Sequence, residues 1–208
     1  DREQVKAWAA ETVQNHGSVN MIFNNAGVAL AATVEGESYE ELEWLMGINY
    51  WGVVYGTKEF LPYLKQSGEG HIINTSSIFG LTSQPTQSAY NSSKFAVRGF
   101  TESLRQELDI ENCGVSALCV HPGGIRTNIA NDARLSDSMK KIGMNPEKSI
   151  KSFNKLMRKP AVEASQEILD AVLKNKRRLL IGGDAVTVDL MQRILPTGYQ
   201  KIVTIATK

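Results

Sequence analysis

Three times along this chain a short apolar run stops at a polar or glycine-rich cluster. Residues 19–23 end in Asn24-Asn25-Ala26-Gly27, residues 71–75 in the cluster 76–80, and residues 115–120 in the cluster 122–127. Segments of helical period fill most of the remaining sequence. Residues 2–15 carry Val5, Trp8, Ala9 and Val13 on one stripe, and Asn15-His16-Gly17 closes it with a glycine cap. Ser38 with Glu41 three residues on reads as a capping box. It opens a long helix to about Gln66, with Leu42, Leu45, Met46, Asn49, Val53, Phe60 and Leu64 at helical spacing. A helix over 86–111 follows the second run. Pro160 opens another through about Lys174, and residues 178–181 and 184–195 read as a last strand and helix. Residues 128–159 show no clear period and read as an irregular insertion with helical pieces.

Strands separated by helices of this length require crossover connections, hence a parallel sheet covered on both faces. The third run is nearly all apolar, as suits a strand buried on both sides. With 208 residues and no linker, the fold is read as one α/β domain, a doubly wound, Rossmann-like parallel sheet. Ligands of such sheets bind beyond the carboxyl ends of the strands, where all three clusters fall.

Composition excludes more than it selects. Net charge of +1 gives no reason to expect nucleic-acid binding, and 42% hydrophobic with 22% charged residues is ordinary for a globular domain. No apolar run is long enough to cross a bilayer, residues 1–15 are too polar for a signal peptide, and a cytoplasmic location is expected. Cys113 and Cys119 read as free thiols. His16, His71 and His121 lack ligand spacing, so no metal site is expected.

The chemistry is expected at Tyr90 and Lys94, four apart on one helix and so on one face. Ser77 ends a strand thirteen residues earlier, and the loop between must fold back, bringing its Oγ toward the Tyr90 hydroxyl. A free phenol has a pKa of about 10, and a nearby ammonium favours its ionised form. A positioned phenol can then exchange a proton with a carbonyl or alcohol oxygen, and a serine hydroxyl can stabilise charge on that oxygen. No side chain supplies a hydride, so a nicotinamide cofactor is implied, either NAD or NADP.

These motifs resemble the short-chain dehydrogenase/reductase family in its compact, non-extended form, in order along nearly the whole chain. The residues that carry the resemblance are Asn24-Asn25-Ala26-Gly27, Asn49 in Ile48-Asn49-Tyr50-Trp51-Gly52, Ser77 in Asn74-Thr75-Ser76-Ser77-Ile78-Phe79-Gly80, Tyr90-Asn91-Ser92-Ser93-Lys94 and Pro122-Gly123-Gly124-Ile125-Arg126-Thr127. The resemblance implies Tyr90 as general acid/base and Lys94 lowering its pKa and holding the nicotinamide ribose. It implies Ser77 polarising the substrate oxygen and Asn49 anchoring a proton relay. Asn25, Ala26 and Gly27 would contact the adenosine ribose region. Pro122 and Gly123 would line the nicotinamide, with Ile125 and Thr127 at its carboxamide. Ser76 is set aside because adjacent strand residues point oppositely.

The family's opening strand, glycine-rich turn and helix have no counterpart here, so the sheet is expected to be N-terminally incomplete, with about sixty residues lacking on a count of two βα units. A fragment is favoured over a naturally shortened relative, and the 208 residues alone are expected not to reduce a carbonyl. Residues 128–159 take the place of the family's substrate lid. With eight Lys/Arg against three Asp/Glu they suggest a lid for a lipophilic or anionic substrate, weighed against a merely solvated face. Residues 40–66 and 86–111 are, by resemblance, the pairing faces of a homodimer or homotetramer. The C-terminal Leu190, Ile194, Leu195, Tyr199, Ile202, Val203 and Ile205 are expected to pack on their own domain or a sister subunit. His121 is read as structural, and Trp44, Tyr50 and Trp51 as core or interface. The alternatives are a nucleotide-sugar epimerase or dehydratase, disfavoured by the short C-terminal region, and a non-catalytic binding protein that kept the fold.

Overall fold

The computed structural model describes residues 1–207. Helix α1 (Arg2–His16) is capped by Asp1, whose Oδ1 accepts from the Gln4 N–H at 2.9 Å, and Gly17 leaves it with φ 80°. Its expected stripe is only partly used. Ala9 is buried, while Trp8 lies half-exposed with its ring centre 4.6 Å from that of Phe60, the two rings steeply inclined.

Strand β1 (Met21–Asn24) begins two residues later than its apolar run suggests. Val19 is buried beneath the helices, but the ladder to the next strand starts only at Met21 opposite His71. Val19 thus adds burial without pairing, and the ladder takes up only Met21–Phe23 of the run. The two-residue strand β2 (Leu30–Ala31) had no signal of its own, since it exists only by pairing with β5 (Arg134–Leu135), a hundred residues away.

The capping box at Ser38 and Glu41 is present. The helix it opens comes in two parts, α2 (Tyr39–Met46) and α3 (Gly52–Gln66), joined by a π turn over Gly47–Trp51. Strand β3 (Gly70–Thr75) leads through a 3₁₀ turn at Ile78–Gly80 to α4 (Ser88–Glu111), and β4 (Val115–Pro122) follows. The insertion holds β5, a 3₁₀ segment at Asp137–Ile142 and helix α5 (Pro146–Leu156). The chain continues through α6 (Ala161–Leu173), β6 (Arg178–Ile181), α7 (Gly183–Ile194) and α8 (Tyr199–Thr207).

Strands β1, β3, β4 and β6 lie in that order and pair in parallel throughout, so the fold is the expected α/β layer structure. One face packs Ile22, Ile72 and Ala117 against Phe60 and Leu64 of α3 and Leu104 and Leu108 of α4. The other packs Ile73, Leu118, Val120 and Ile181 against Ala164, Ala171 and Val172 of α6. Because α6 reaches only part of that face, Met21 and Phe23 of β1 stay 43% and 45% exposed.

Helix α8 was not legible in the sequence. Tyr199 opens it, buried, with its hydroxyl accepting from the Ser83 N–H at 3.2 Å, so this residue packs on its own domain as expected. Leu190, Ile194, Leu195, Ile202 and Ile205 face outward instead. Cys113 and Cys119 are free.

Candidate active site

The carboxyl ends of β1, β3 and β4 meet the N-terminal half of α4. Tyr90 and Lys94 both face inward from that helix and are buried. Lys94 Nζ lies 5.7 Å from the centre of the Tyr90 ring and donates to the Thr75 carbonyl at 3.0 Å. Ser77 leaves β3 in an extended conformation, and its Oγ accepts from the Phe79 N–H at 3.1 Å. Burial pushes the Tyr90 phenol up to about 12, and a hydrogen bond with the Ser77 side chain offsets part of that rise. Burial pulls the Lys94 ammonium down to about 8. With burial dominant, the Tyr90 phenol stays protonated near neutral pH and is placed to donate.

Ser76 points the other way, as strand alternation requires. Its Oγ donates to the Lys94 carbonyl at 2.8 Å, which ties β3 to α4 beneath the site. Gly80 is needed for that approach, since a Cβ there would stand 2.3 Å from Ser76 Oγ and 2.7 Å from the Lys94 carbonyl oxygen.

Asn49 sits in the π turn, a widened turn of the kind often found at functional positions. It is fully buried. Its Oδ1 accepts from the Val28 N–H at 2.8 Å, and its Nδ2 donates to the Val28 carbonyl at 3.0 Å and to Ser93 Oγ at 3.1 Å. Ser93 Oγ in turn donates to the Tyr90 carbonyl. One side chain thus fastens the segment after β1 to the helix bearing Tyr90. Gly27 lies in the same place: a Cβ there would be 3.3 Å from Asn49 Oδ1 and 3.5 Å from Lys94 Nζ. Asn25 and Ala26 are exposed at the rim, where Thr75 Oγ1 donates to Asn25 Oδ1 at 3.3 Å.

Beneath the rim runs a polar ladder that the motif reading missed. Asn24 Nδ2 donates to Thr57 Oγ1 and to Asn74 Oδ1, and Asn74 Nδ2 donates to Thr101 Oγ1. The signal was available, because Asn74 follows Ile72-Ile73 at the buried centre of the sheet.

The Pro122–Thr127 segment is held from two sides. The Gly123 N–H donates to the Ile181 carbonyl, and the Gly124 N–H to Asp184 Oδ2 at 2.6 Å. The Gly124 carbonyl accepts from the N–H groups of Arg158 and Lys159 at the end of the insertion. The Ile125 side chain is buried in the α6-side core, whereas Thr127 lines a cleft of about 350 Å³ with Arg126, Asn128, Asn154 and Met157.

The insertion covers this end of the sheet. Its first part is pinned by the β2–β5 pair, by Ser138 Oγ accepting from the Thr33 N–H, and by the Arg134 guanidinium 3.6 Å over the Trp44 ring. Helix α5 brings Phe153 to 6.3 Å from Phe79, whose ring stands edge-on to Tyr90 at 6.1 Å. Phe79 stands in the Ser77 motif and Phe153 among the apolar residues of the insertion, and no local pattern brings the two together. Lys140, Lys141, Lys148, Lys151, Lys155 and Arg158 are all exposed, as a solvated face would be. Among the described residues no helix is long and apolar enough to cross a membrane, and no group of three His, Cys, Asp or Glu could hold a metal ion.

Comparison with known proteins gives the same answer by sequence and by shape. A family model described as short chain dehydrogenase matches residues 1–138. A Mycobacterium tuberculosis protein named "Putative oxidoreductase SadH" is 41% identical over 204 residues, covering 98% of this chain and 72% of the relative. Mouse "Dehydrogenase/reductase SDR family member 7B" is 32% identical, covering 95% of this chain and 58% of its own length. A short-chain dehydrogenase/reductase from Burkholderia phymatum, solved in complex with NAD, superimposes with a TM-score of 0.84 at 24% identity over 94% of this chain and 73% of that one. A short-chain dehydrogenase from Streptomyces avermitilis gives a TM-score of 0.79 at 28% identity, covering 97% of this chain and 76% of that one.

Proposed function

The chain belongs to the short-chain dehydrogenase/reductase family, and on that premise we propose that it moves a hydride between NAD or NADP and a ketone, aldehyde or secondary alcohol. The observation that carries the reading is the meeting of Tyr90, Ser77 and Lys94 in one buried cluster at the strand ends.

The residues present suit a nicotinamide cofactor. Gly27 is a cradle that a Cβ would fill, bordered by Asn49 Oδ1 and Lys94 Nζ, and Lys94 offers an ammonium suited to ribose hydroxyls. Thr127 at the cleft offers a hydroxyl, and the backbone of Pro122, Gly123 and Ile125 would border the nicotinamide. Asn25 and Ala26 line the rim toward the adenosine side. When bound, the nicotinamide supplies the hydride that no side chain can.

Tyr90 gives its proton to the substrate oxygen in reduction and takes it back in oxidation. Ser77 donates its one hydroxyl proton to the same oxygen, stabilising charge as it develops. Lys94, held at the Thr75 carbonyl, keeps a cation beside the phenol. Asn49 holds the backbone at Val28 and, through Ser93, the Tyr90 turn of α4. Phe79 stands edge-on to Tyr90 and Phe153 lies against Phe79, apolar surroundings that suit a small lipophilic carbonyl compound.

The protein acts in the cytoplasm as a homodimer or homotetramer in this reading, using the faces that expose Trp51 and Phe95. Residues 1–208 alone, with the outer edge of β1 unpaired among the described residues, are expected to be inactive.

The test is turnover. The protein from its complete reading frame, given NADH or NADPH and a panel of ketones and aldehydes, is expected to oxidise the cofactor. Cofactor binding without turnover of any carbonyl or alcohol would instead favour a non-catalytic binding protein.

A further inference from the structure

The last ladder bond between β3 and β4 runs from the Ser76 N–H to the Val120 carbonyl. The next donor on β4 would be Pro122, which has no N–H. The side chain of His121 takes over. Its Nδ1 lies 3.0 Å from the Ser77 carbonyl oxygen, which also accepts from the Gly80 N–H at 3.0 Å.

A carbonyl oxygen can only accept, so Nδ1 carries the proton and Nε2 holds the lone pair. The imidazole is completely buried, and no protein group meets its Nε2. An unmatched buried acceptor is a standing cost to the fold, which an apolar side chain of similar size would avoid. The bond to Ser77 is what the imidazole gives in return.

We propose that His121 is a positioning residue, holding the Ser77 hydroxyl toward Tyr90 by fixing the Ser77 backbone; the proposal rests on the oxidoreductase reading above. The backbone at Ser77 is extended, with φ −170° and ψ 169°, and has left the sheet. Three bonds then fix where its hydroxyl points: the carbonyl to His121 and to the Gly80 N–H, and Oγ to the Phe79 N–H, and of these only the His121 bond reaches across from β4. The arrangement does not switch near neutral pH. Burial pulls His121 down to about 4, and Arg178 of β6 and Arg98 of α4 add to that, against Glu102 of α4 and the Ser77 carbonyl.

The experiment uses the protein from its complete reading frame and a carbonyl that it turns over. In His121→Asn the amide nitrogen takes the place of Nδ1, whereas in His121→Gln it lies one carbon further out. H121Q is expected to lower kcat about tenfold, the weight of one well-made hydrogen bond, with KM within about twofold. H121N recovers kcat to within about threefold of the unmutated protein. In a Ser77→Ala background H121Q causes no further loss, because the group it positions is gone. If H121Q does not fold, His121→Leu fills the same space and carries the same expectation. Losses from H121Q and S77A that multiply, or an H121Q kcat within twofold of the unmutated protein, overturn the positioning role and leave the oxidoreductase reading standing. No turnover by the unmutated protein overturns both.

Discussion

Lys94 is a cation held where water does not reach, and the consequence can be worked out for stability as well as activity. Its ammonium is brought from 10.5 to about 8 by burial. At about 1.4 kcal/mol per unit, keeping the charged form in the folded state costs about 3 kcal/mol wherever both states are protonated. Replacing Lys94 by methionine removes that cost but also the bond to the Thr75 carbonyl, worth about 1 kcal/mol. The cofactor-free Lys94→Met variant should therefore be about 2 kcal/mol more stable than the unmutated protein at pH 7 while losing turnover, a trade of stability for function. The folded-state value is depressed, so between about pH 8 and 10.5 the unfolded chain binds more protons than the folded one. Stability contributed by this site thus rises with pH across that window. The advantage of the variant should shrink over the same range, pass through zero inside it and become a deficit of about 1 kcal/mol by its upper end, because the bond to the Thr75 carbonyl is still missing. Urea unfolding of both proteins at several pH values measures the difference directly, and subtracting the two curves cancels groups common to both. A variant less stable than the unmutated protein at pH 7, or a difference flat across the window, refutes the reasoning.

Three further outcomes follow from the site. Asn49→Ala leaves the Val28 N–H and carbonyl without their side-chain partner, so urea unfolding should show a loss of about 2–4 kcal/mol, and a loss below about 1 kcal/mol would contradict it. Gly124→Ala sets a Cβ 2.1 Å from the Leu156 carbonyl oxygen, a backbone atom at the end of α5. It should therefore displace the insertion and cut kcat/KM at least tenfold, read by steady-state kinetics. Phe153→Ala removes the ring packed on Phe79, and kcat/KM for an aromatic or branched ketone should fall about fivefold, mostly through KM, as expected for about 1 kcal/mol of aromatic contact.

What the sequence made legible was whatever is encoded within one turn or one strand. The Ser38 and Glu41 cap, the inward pair of Tyr90 and Lys94, and the opposite orientations of Ser76 and Ser77 follow from local periodicity, and the structure places each as read. The β2–β5 pair and the contact between Phe79 and Phe153 depend on segments brought together from far apart, and no local pattern announces them. Strand β1 was misplaced by two residues because an apolar run reports burial and cannot report where a ladder begins. His121 was read as structural, and the bond that gives it a possible role in the site became visible only when β3 and β4 were side by side. Burial is the largest influence on both Tyr90 and Lys94, raising one and lowering the other, and spacing along a helix cannot report it.

The account stands most directly on the phenol of Tyr90. Tyr90→Phe removes one oxygen and keeps the ring against Phe79. With the protein from its complete reading frame, its preferred cofactor and one carbonyl that it reduces, kcat is expected to fall by about 10²–10⁴ while cofactor affinity stays within a few-fold. A variant that keeps more than a tenth of the original kcat would contradict Tyr90 as the proton donor, and with it the central claim.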